Sequence, residues 1–282
     1  MEFGASTWLW TSPLTTEKLE TLAARVADMG FDLIEMPVED PDLVDYARVP
    51  EILREYGLSV SVCAAMGGDR DLIHPDEEVR VGAAAYVRTC VDVAQEVGAD
   101  RVVGPLYSAV GRCWRATPEE RARDTDLLVG QLRALAEYAG ERGVTLCVEP
   151  LNRFETSFLN LTSQVVDVVD RVDHPACQIL LDLFHLGIEE KDLGAAIRLA
   201  GNRLKHLQVA DNDRGIPGTG HLPWADIAQA LRDVGYDGPV VIESFTADNE
   251  SMAKAASIWR PLAPDQDTFA REGLRFLREL LG

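Results

Sequence analysis

The residues best suited to chemistry are polar groups that close short apolar runs. Thr145-Leu-Cys-Val-Glu149 is apolar and β-branched, is entered through Gly143 and is closed by Pro150. A second acid, Glu155, follows across an Asn-Arg-Phe turn. Gln178-Ile-Leu-Leu-Asp182 runs on through Leu-Phe to His185, Leu204-Lys-His-Leu-Gln208 ends in an amide, and Val240-Val-Ile-Glu243 ends in an acid. A strand that delivers an acid to its C-terminal end and then opens into a polar loop is how parallel α/β folds build active sites. For any one of these residues a cap or surface pair is an equal explanation. For four in succession it is a weak one. Three converging carboxylates repel one another and raise their pKa values, and a divalent cation removes that problem. Carboxylate and amide oxygens suit a hard cation such as Mn²⁺, Mg²⁺ or Co²⁺ better than a four-coordinate structural zinc.

The elements that must position these groups follow one rhythm. An amphipathic segment ends in Gly and a short apolar run begins soon after, at Gly30, Gly57, Gly98, Gly143, Gly201 and Gly235. Gly suits the residue just past a helix end, and the apolar run suits a strand covered on both faces. With Phe3–Thr7 and Gln178–Asp182 the strands number eight, separated by helical segments such as Thr16–Met29, Pro118–Arg142 and Leu193–Ala200. Thr117-Pro-Glu-Glu120 and Thr16-Glu-Lys-Leu-Glu20 read as helix N-termini. Eight βα units predict a single (β/α)₈ barrel over residues 1–282, with Glu149, Asp182, Gln208 and Glu243 converging at its mouth. A doubly wound open sheet is disfavoured, because no Gly-x-Gly-x-x-Gly follows any strand.

Composition bounds the partners. The net charge of −20 repels nucleic acid and anionic membranes and gives no help with phosphorylated substrates, so a neutral or cationic small molecule fits better. No apolar run approaches a membrane span, and Met1-Glu-Phe-Gly-Ala-Ser6 shows no basic stretch followed by an apolar one, so export is not expected. The five cysteines are widely spaced with no Cys-x-x-Cys, which reads as buried thiols in a reducing cytoplasm.

The blocks Val148-Glu-Pro-Leu-Asn-Arg-Phe-Glu155, Leu181-Asp-Leu-Phe-His185, Asp211-Asn-Asp-Arg214 with the Gly-rich run to His221, and Glu243-Ser-Phe245 carry a resemblance. Together they resemble the ketose 3-epimerases of the D-tagatose/D-psicose (allulose) type, in the xylose-isomerase-like TIM-barrel superfamily. The resemblance extends over nearly the whole chain. It implies a cytoplasmic, metal-dependent isomerase of carbohydrate metabolism, a homodimer or homotetramer, epimerising a free ketose at C3 through an enediolate. It implies that Glu149, Asp182 and Glu243 bind the metal, that Glu149 and Glu243 double as the acid/base pair, and that Glu155, His185 and Arg214 hold the C1–C2 end of the sugar. Trp10 and Trp114 are candidates for stacking on a sugar face, with core packing at least as good a reading for each.

One position departs from the family. Its fourth metal ligand is a His where this chain has Gln208, and His206 lies two residues earlier, on the same side but one layer deeper. Hydroxypyruvate isomerases and certain dehydroshikimate dehydratases of the superfamily use Gln here, so Gln208 is expected to ligate through its carbonyl and His206 to be a buried supporting or core imidazole. Glu35, ending strand two, is left open between pocket lining and cap. The competing functions share proton abstraction beside a carbonyl. They are an aldose–ketose or hydroxypyruvate-type isomerase, an inosose or dehydroshikimate-type dehydratase, and a lyase on a 3-keto sugar. A DNA-repair nuclease expects a basic groove and a His-rich cluster, and a sugar-binding barrel without chemistry has no need of paired bases.

Overall fold

A computed structural model describes residues 1–247, 253–254 and 256–282. Eight parallel strands close into a barrel in sequence order: β1 (Phe3–Ser6), β2 (Leu33–Val38), β3 (Ser59–Ala64), β4 (Arg101–Gly104), β5 (Thr145–Val148), β6 (Cys177–Asp182), β7 (Leu204–Val209) and β8 (Val240–Ile242). Between them run α1 (Thr16–Asp28), α2 (Val49–Tyr56), α3 (Glu77–Val97), α4 (Pro118–Gly140), α5 (Thr162–Val172), α6 (Leu183–Glu189), α7 (Leu193–Ala200) and α8 (Trp224–Asp233). A last helix, α9 (Gln266–Leu281), ends the chain. Among the described residues no helix is long and apolar enough to cross a membrane.

The expected barrel is therefore the observed one, and the local signals act as expected. All six helix-ending glycines have positive φ. Thr117 forms a complete capping box with Glu120 ahead of Pro118. At α1 the cap is Thr15, one residue before the expected start, and its side chain accepts from the Lys18 backbone N–H. One element was not foreseen. The apolar run through His185 leaves the sheet at Asp182, which caps α6 by accepting from the Phe184 N–H at 2.9 Å. His185 thus sits on a short helix, not a strand.

Strand residues alternate between two environments. Outward side chains such as Ile34, Val62, Leu146, Leu181 and Ile242 join the core shared with the helices. Inward ones form a separate cluster of Cys63, Val103, Cys147 and Leu180, against which Trp8 packs. The same parity carries the polar residues inward. Glu149 lies two residues after Cys147, Asp182 two after Leu180 and Gln208 two after His206. Glu149 and Glu243 stand just past their strands, where their N–H groups extend the ladder to Gly104 and Val209 carbonyls at 3.1 Å each.

Gly104 is a tight point of this arrangement. Its φ is +126°, and a Cβ there would meet the Ala64 carbonyl oxygen at 3.1 Å. Its own carbonyl holds the Glu149 N–H. Gly104→Ala therefore combines a backbone conformation foreign to L-residues with a contact to main chain that cannot rotate away. Urea unfolding should show a loss of about 1–3 kcal/mol.

Candidate active site

At the C-terminal mouth of the barrel the structure brings Glu149, Asp182, Gln208 and Glu243 together with His185 and Arg214, all of them buried. Arg214 Nη1 is the hub. It donates to Asp182 Oδ2 at 2.5 Å and to Glu243 Oε2 at 2.9 Å, while Nη2 lies 3.2 Å from His185 Nε2. Asp182 serves two masters, one oxygen capping α6 and the other facing Arg214. His185 Nε2 is also 3.5 Å from Glu149 Oε1 and 3.6 Å from Asp182 Oδ2. Ligand atoms of Glu149, Asp182 and His185 lie within 4.8 Å of one another, a spacing able to hold a metal ion.

The loop after β7 puts Arg214 there. Asp211 is fully buried, and its carboxylate accepts from the backbone N–H groups of Asn212, Gly218 and Leu222 and from Trp224 Nε1. Main-chain bonds tie Arg214 N–H to the Asp211 carbonyl and Asp211 N–H to the Gly215 carbonyl, each at 3.0 Å. Arg214 itself is left-handed, with φ of +62°, a conformation costly for a side chain of this size. Ser244 Oγ donates to its carbonyl at 2.7 Å. Its guanidinium carbon stands 4.2 Å from the Phe184 ring centroid and 5.3 Å from that of Phe245, which shields the charge from water and holds it in plane.

Electrostatics follow from crowding. Burial, then Glu243 and Asp182 beside it, pushes the Glu149 carboxyl well above the usual range. Burial, with Asp182 and Glu35 nearby and Arg214 opposing, pushes Glu243 up to about 8. Burial also raises Asp182, although Arg214 and the Phe184 N–H pull it back. Burial works against the Arg214 charge, but the surrounding carboxylates outweigh it and keep it protonated. Burial, with Arg214 adjacent, drives the His185 imidazole well below its ordinary value, so it is neutral. Its Nδ1 accepts from the Asn152 backbone N–H at 3.2 Å. One guanidinium therefore faces more negative charge than it can balance.

Glu155 stands at the edge of the group. Its Oε1 is 3.9 Å from His185 Nδ1 and accepts from Asn152 Nδ2 at 2.8 Å, and burial raises its pKa. The two tryptophans singled out in the sequence both have protein partners. Trp10 is half-buried with Nε1 donating to Asp267 at the start of α9. Trp114 is stacked on Phe158, with ring centroids 5.8 Å apart, and carries Arg112 3.9 Å above its face. Residues that sequence reasoning gave no role are Asn152, Phe184, Phe245 and Trp8, whose ring lies 5.8 Å from that of Phe245. Asn152, Phe184 and Phe245 sit inside the blocks quoted above, so the signal was present but unread. Trp8 gave none beyond its position after β1.

The raised carboxyl of Glu243 has a measurable consequence in chelator-treated protein. Folded Glu243 keeps a proton that an unfolded glutamate releases, so stability falls as pH rises from the ordinary carboxylate range through about 8. His185, neutral when folded, acts in the opposite sense, but only up to the ordinary imidazole value of about 6.5. Between about pH 7 and 9 the carboxylates and the buried thiols remain, the thiols alike in both proteins, and wild type should lose roughly 1 kcal/mol more than Glu243→Gln. Urea midpoints of the two proteins across that window measure the difference.

This geometry has close counterparts. The model of the xylose isomerase-like TIM barrel family matches residues 23–280. A D-psicose 3-epimerase of Agrobacterium fabrum is 32% identical over 270 residues, which are 92% of this chain and 92% of that protein. A probable ketose 3-epimerase of Synechocystis sp. is 30% identical over 99% of this chain and 96% of its own length. A solved L-ribulose 3-epimerase superposes with a TM-score of 0.94 at 29% identity, covering 99% of this chain and 94% of the other. The chain therefore belongs to the xylose isomerase-like TIM barrel family, in the branch that holds the ketose 3-epimerases.

Proposed function

We propose that this protein is a metal-dependent ketose 3-epimerase acting on an unphosphorylated ketose, with Glu149 and Glu243 as its acid/base pair. One observation carries the reading: two buried carboxylates, from strands β5 and β8, reach the same neutral-His and Arg cluster from different sides of the barrel mouth. Relatives named as D-psicose and L-ribulose 3-epimerases support the reaction class and the ketose substrate.

The donor set fits a divalent cation. Three buried carboxylates have more charge than Arg214 balances, and Gln208 Oε1 is a buried oxygen with no hydrogen-bond partner among the described residues. Glu149, Asp182, Gln208 and Glu243 would hold the ion. When bound it supplies Lewis acidity to the carbonyl and neighbouring hydroxyl of the sugar. Mn²⁺ is the preferred ion, since oxygen donors in this number suit a hard, six-coordinate cation.

The chain's own residues do the rest. Arg214, His185 and Glu155 lie on one flank and offer donors and an acceptor to the hydroxyls at the C1–C2 end of the sugar. Phe184 and Phe245 exclude water around the guanidinium. One glutamate removes the proton from C3 and the other returns one to the opposite face, so that the configuration at that carbon inverts.

Glu149→Gln and Glu243→Gln keep an oxygen ligand and the volume but remove the base. Each should lower kcat about 10²–10⁴-fold on D-psicose or L-ribulose in the presence of Mn²⁺. In deuterium oxide, one variant should still wash label into C3 from the face of its surviving base without forming epimer. Near wild-type epimerisation by both variants would sink the two-base reading.

A further inference from the structure

Below the mouth lies a buried carboxylate that no step above uses. Glu35, on β2, is completely shielded from solvent, and its Cα is paired with that of Ser61 on β3. Ser61 Oγ donates to Glu35 Oε2 at 2.9 Å, and His206 Nε2 lies 2.9 Å from the same oxygen. The other oxygen, Oε1, accepts from Gln208 Nε2 at 2.7 Å. Burial opposes the charge on Glu35, but the His206 ring and these hydrogen bonds hold the carboxyl below its usual range. A carboxylate here is a costly way to fill space. An apolar side chain would fill it without the desolvation cost.

What the carboxylate does is visible on Gln208. An amide has two different ends, a donor and an acceptor, of nearly the same shape. Gln208 Nε2 donates to Glu35 Oε1 at 2.7 Å and to Glu243 Oε1 at 3.1 Å. Rotating the amide by half a turn would press its carbonyl oxygen against the Glu35 carboxylate and lose the bond to it. The orientation is thus fixed by Glu35, and the Gln208 oxygen is left buried with no partner among the described residues. An unpaired buried carbonyl is tolerated only where something outweighs it.

We propose that Glu35 is a positioning residue, which locks the Gln208 amide so that its carbonyl oxygen serves as a ligand for the divalent cation of the proposed site. The inference rests on the metal-dependent reading above. It also explains how Glu243 is steadied, since the same Gln208 Nε2 occupies Oε1 while Arg214 faces Oε2. Ser61 acts one step further back, by a hydrogen bond to the carboxylate that holds the amide, and the His206 ring lies beside the same oxygen.

The test is equilibrium binding of Mn²⁺ alone to chelator-treated protein, with free Mn²⁺ followed by electron paramagnetic resonance. Glu35→Gln offers an amide in place of the carboxylate, so Gln208 is no longer held one way round. Mn²⁺ affinity should fall about 10–100-fold, the usual effect of losing a group that orients a ligand. Glu35→Asp keeps the charge beside His206 but shortens the side chain by one methylene, and should weaken binding as well. In a Gln208→Glu background both ends of the side chain are oxygens and no orientation is needed. There Glu35→Gln also removes a like charge, so it should leave Mn²⁺ affinity unchanged or raise it. Loss in the first background with none in the second is the expected result. Wild-type affinity in both Glu35 variants, or an equal loss in both backgrounds, overturns the positioning role and leaves the metal reading intact. No Mn²⁺ binding by wild type overturns both.

Discussion

The structure depends on the burial of more negative than positive charge at one end of a closed barrel. Glu149, Asp182, Glu243 and Glu35 all reach the interior, and Arg214 is the guanidinium that bridges Asp182 and Glu243. Like charges at this spacing are tolerated only with a counter-charge or a retained proton. The fold invests heavily in supplying the first. The buried Asp211 collects three backbone N–H groups and an indole to shape the loop, and Arg214 accepts a left-handed backbone to reach its place. A point charge on a flexible stem would not replace it. The planar fork meets Asp182 and Glu243 with one nitrogen and faces His185 with the other, while its faces are covered by Phe184 and Phe245.

Parity is what turns a barrel into such a site. In a closed parallel barrel every second residue points inward, and there is no edge at which register can slip. Cys63, Val103, Cys147 and Leu180 form the apolar part of the layer below the mouth, which also holds His206, and the residues two places after Cys147, Leu180 and His206 belong to the mouth. This apolar part is buried, and burial pushes the Cys63 and Cys147 thiols up. It therefore acts as a low-dielectric floor beneath the polar group. Charges above it interact more strongly than they would in water, which strengthens both the repulsion among the acids and the pull of Arg214.

How much of this could be read in the sequence divides along physical lines. The strands and most helices were legible because apolar runs, helix-ending glycines and the Thr117 cap are local signals that the barrel does not override. The acids at strand ends were legible for the same reason, since parity and position follow from the strand alone. His185 was read as strand-like because Leu-Phe-His continues the apolar run, whereas Asp182 turns the chain by capping the helix that follows. Trp10 and Trp114 were read from residue type as candidates for pocket and core alike. Their partners, Asp267 and Phe158, are set by tertiary packing that no local pattern encodes. Glu35 was the least legible. Its partners Ser61, His206 and Gln208 come from two other strands, one of them across the barrel, and only closure brings them within reach.

The exchange of an imidazole for an amide at Gln208 is less disruptive than the residue names suggest. A ligating imidazole offers a lone pair from one nitrogen and an N–H from the other, and the N–H is normally bonded to a carboxylate that fixes the ring. An amide offers the same pair of functions on adjacent atoms, with oxygen as the lone-pair donor. Here the N–H end is bonded to Glu35 and Glu243, so the division of labour is preserved. What changes is the donor atom. An amide oxygen is harder than an imidazole nitrogen and carries no proton to lose on binding, which on the proposed reading would tilt the site toward Mn²⁺ and Mg²⁺ and away from the later transition ions. It also removes a titrating ligand, so whatever pH dependence the site shows must come from its carboxylates. On the proposed reading the substitution would alter which cation suits the site, while leaving in place the two glutamates proposed as acid and base.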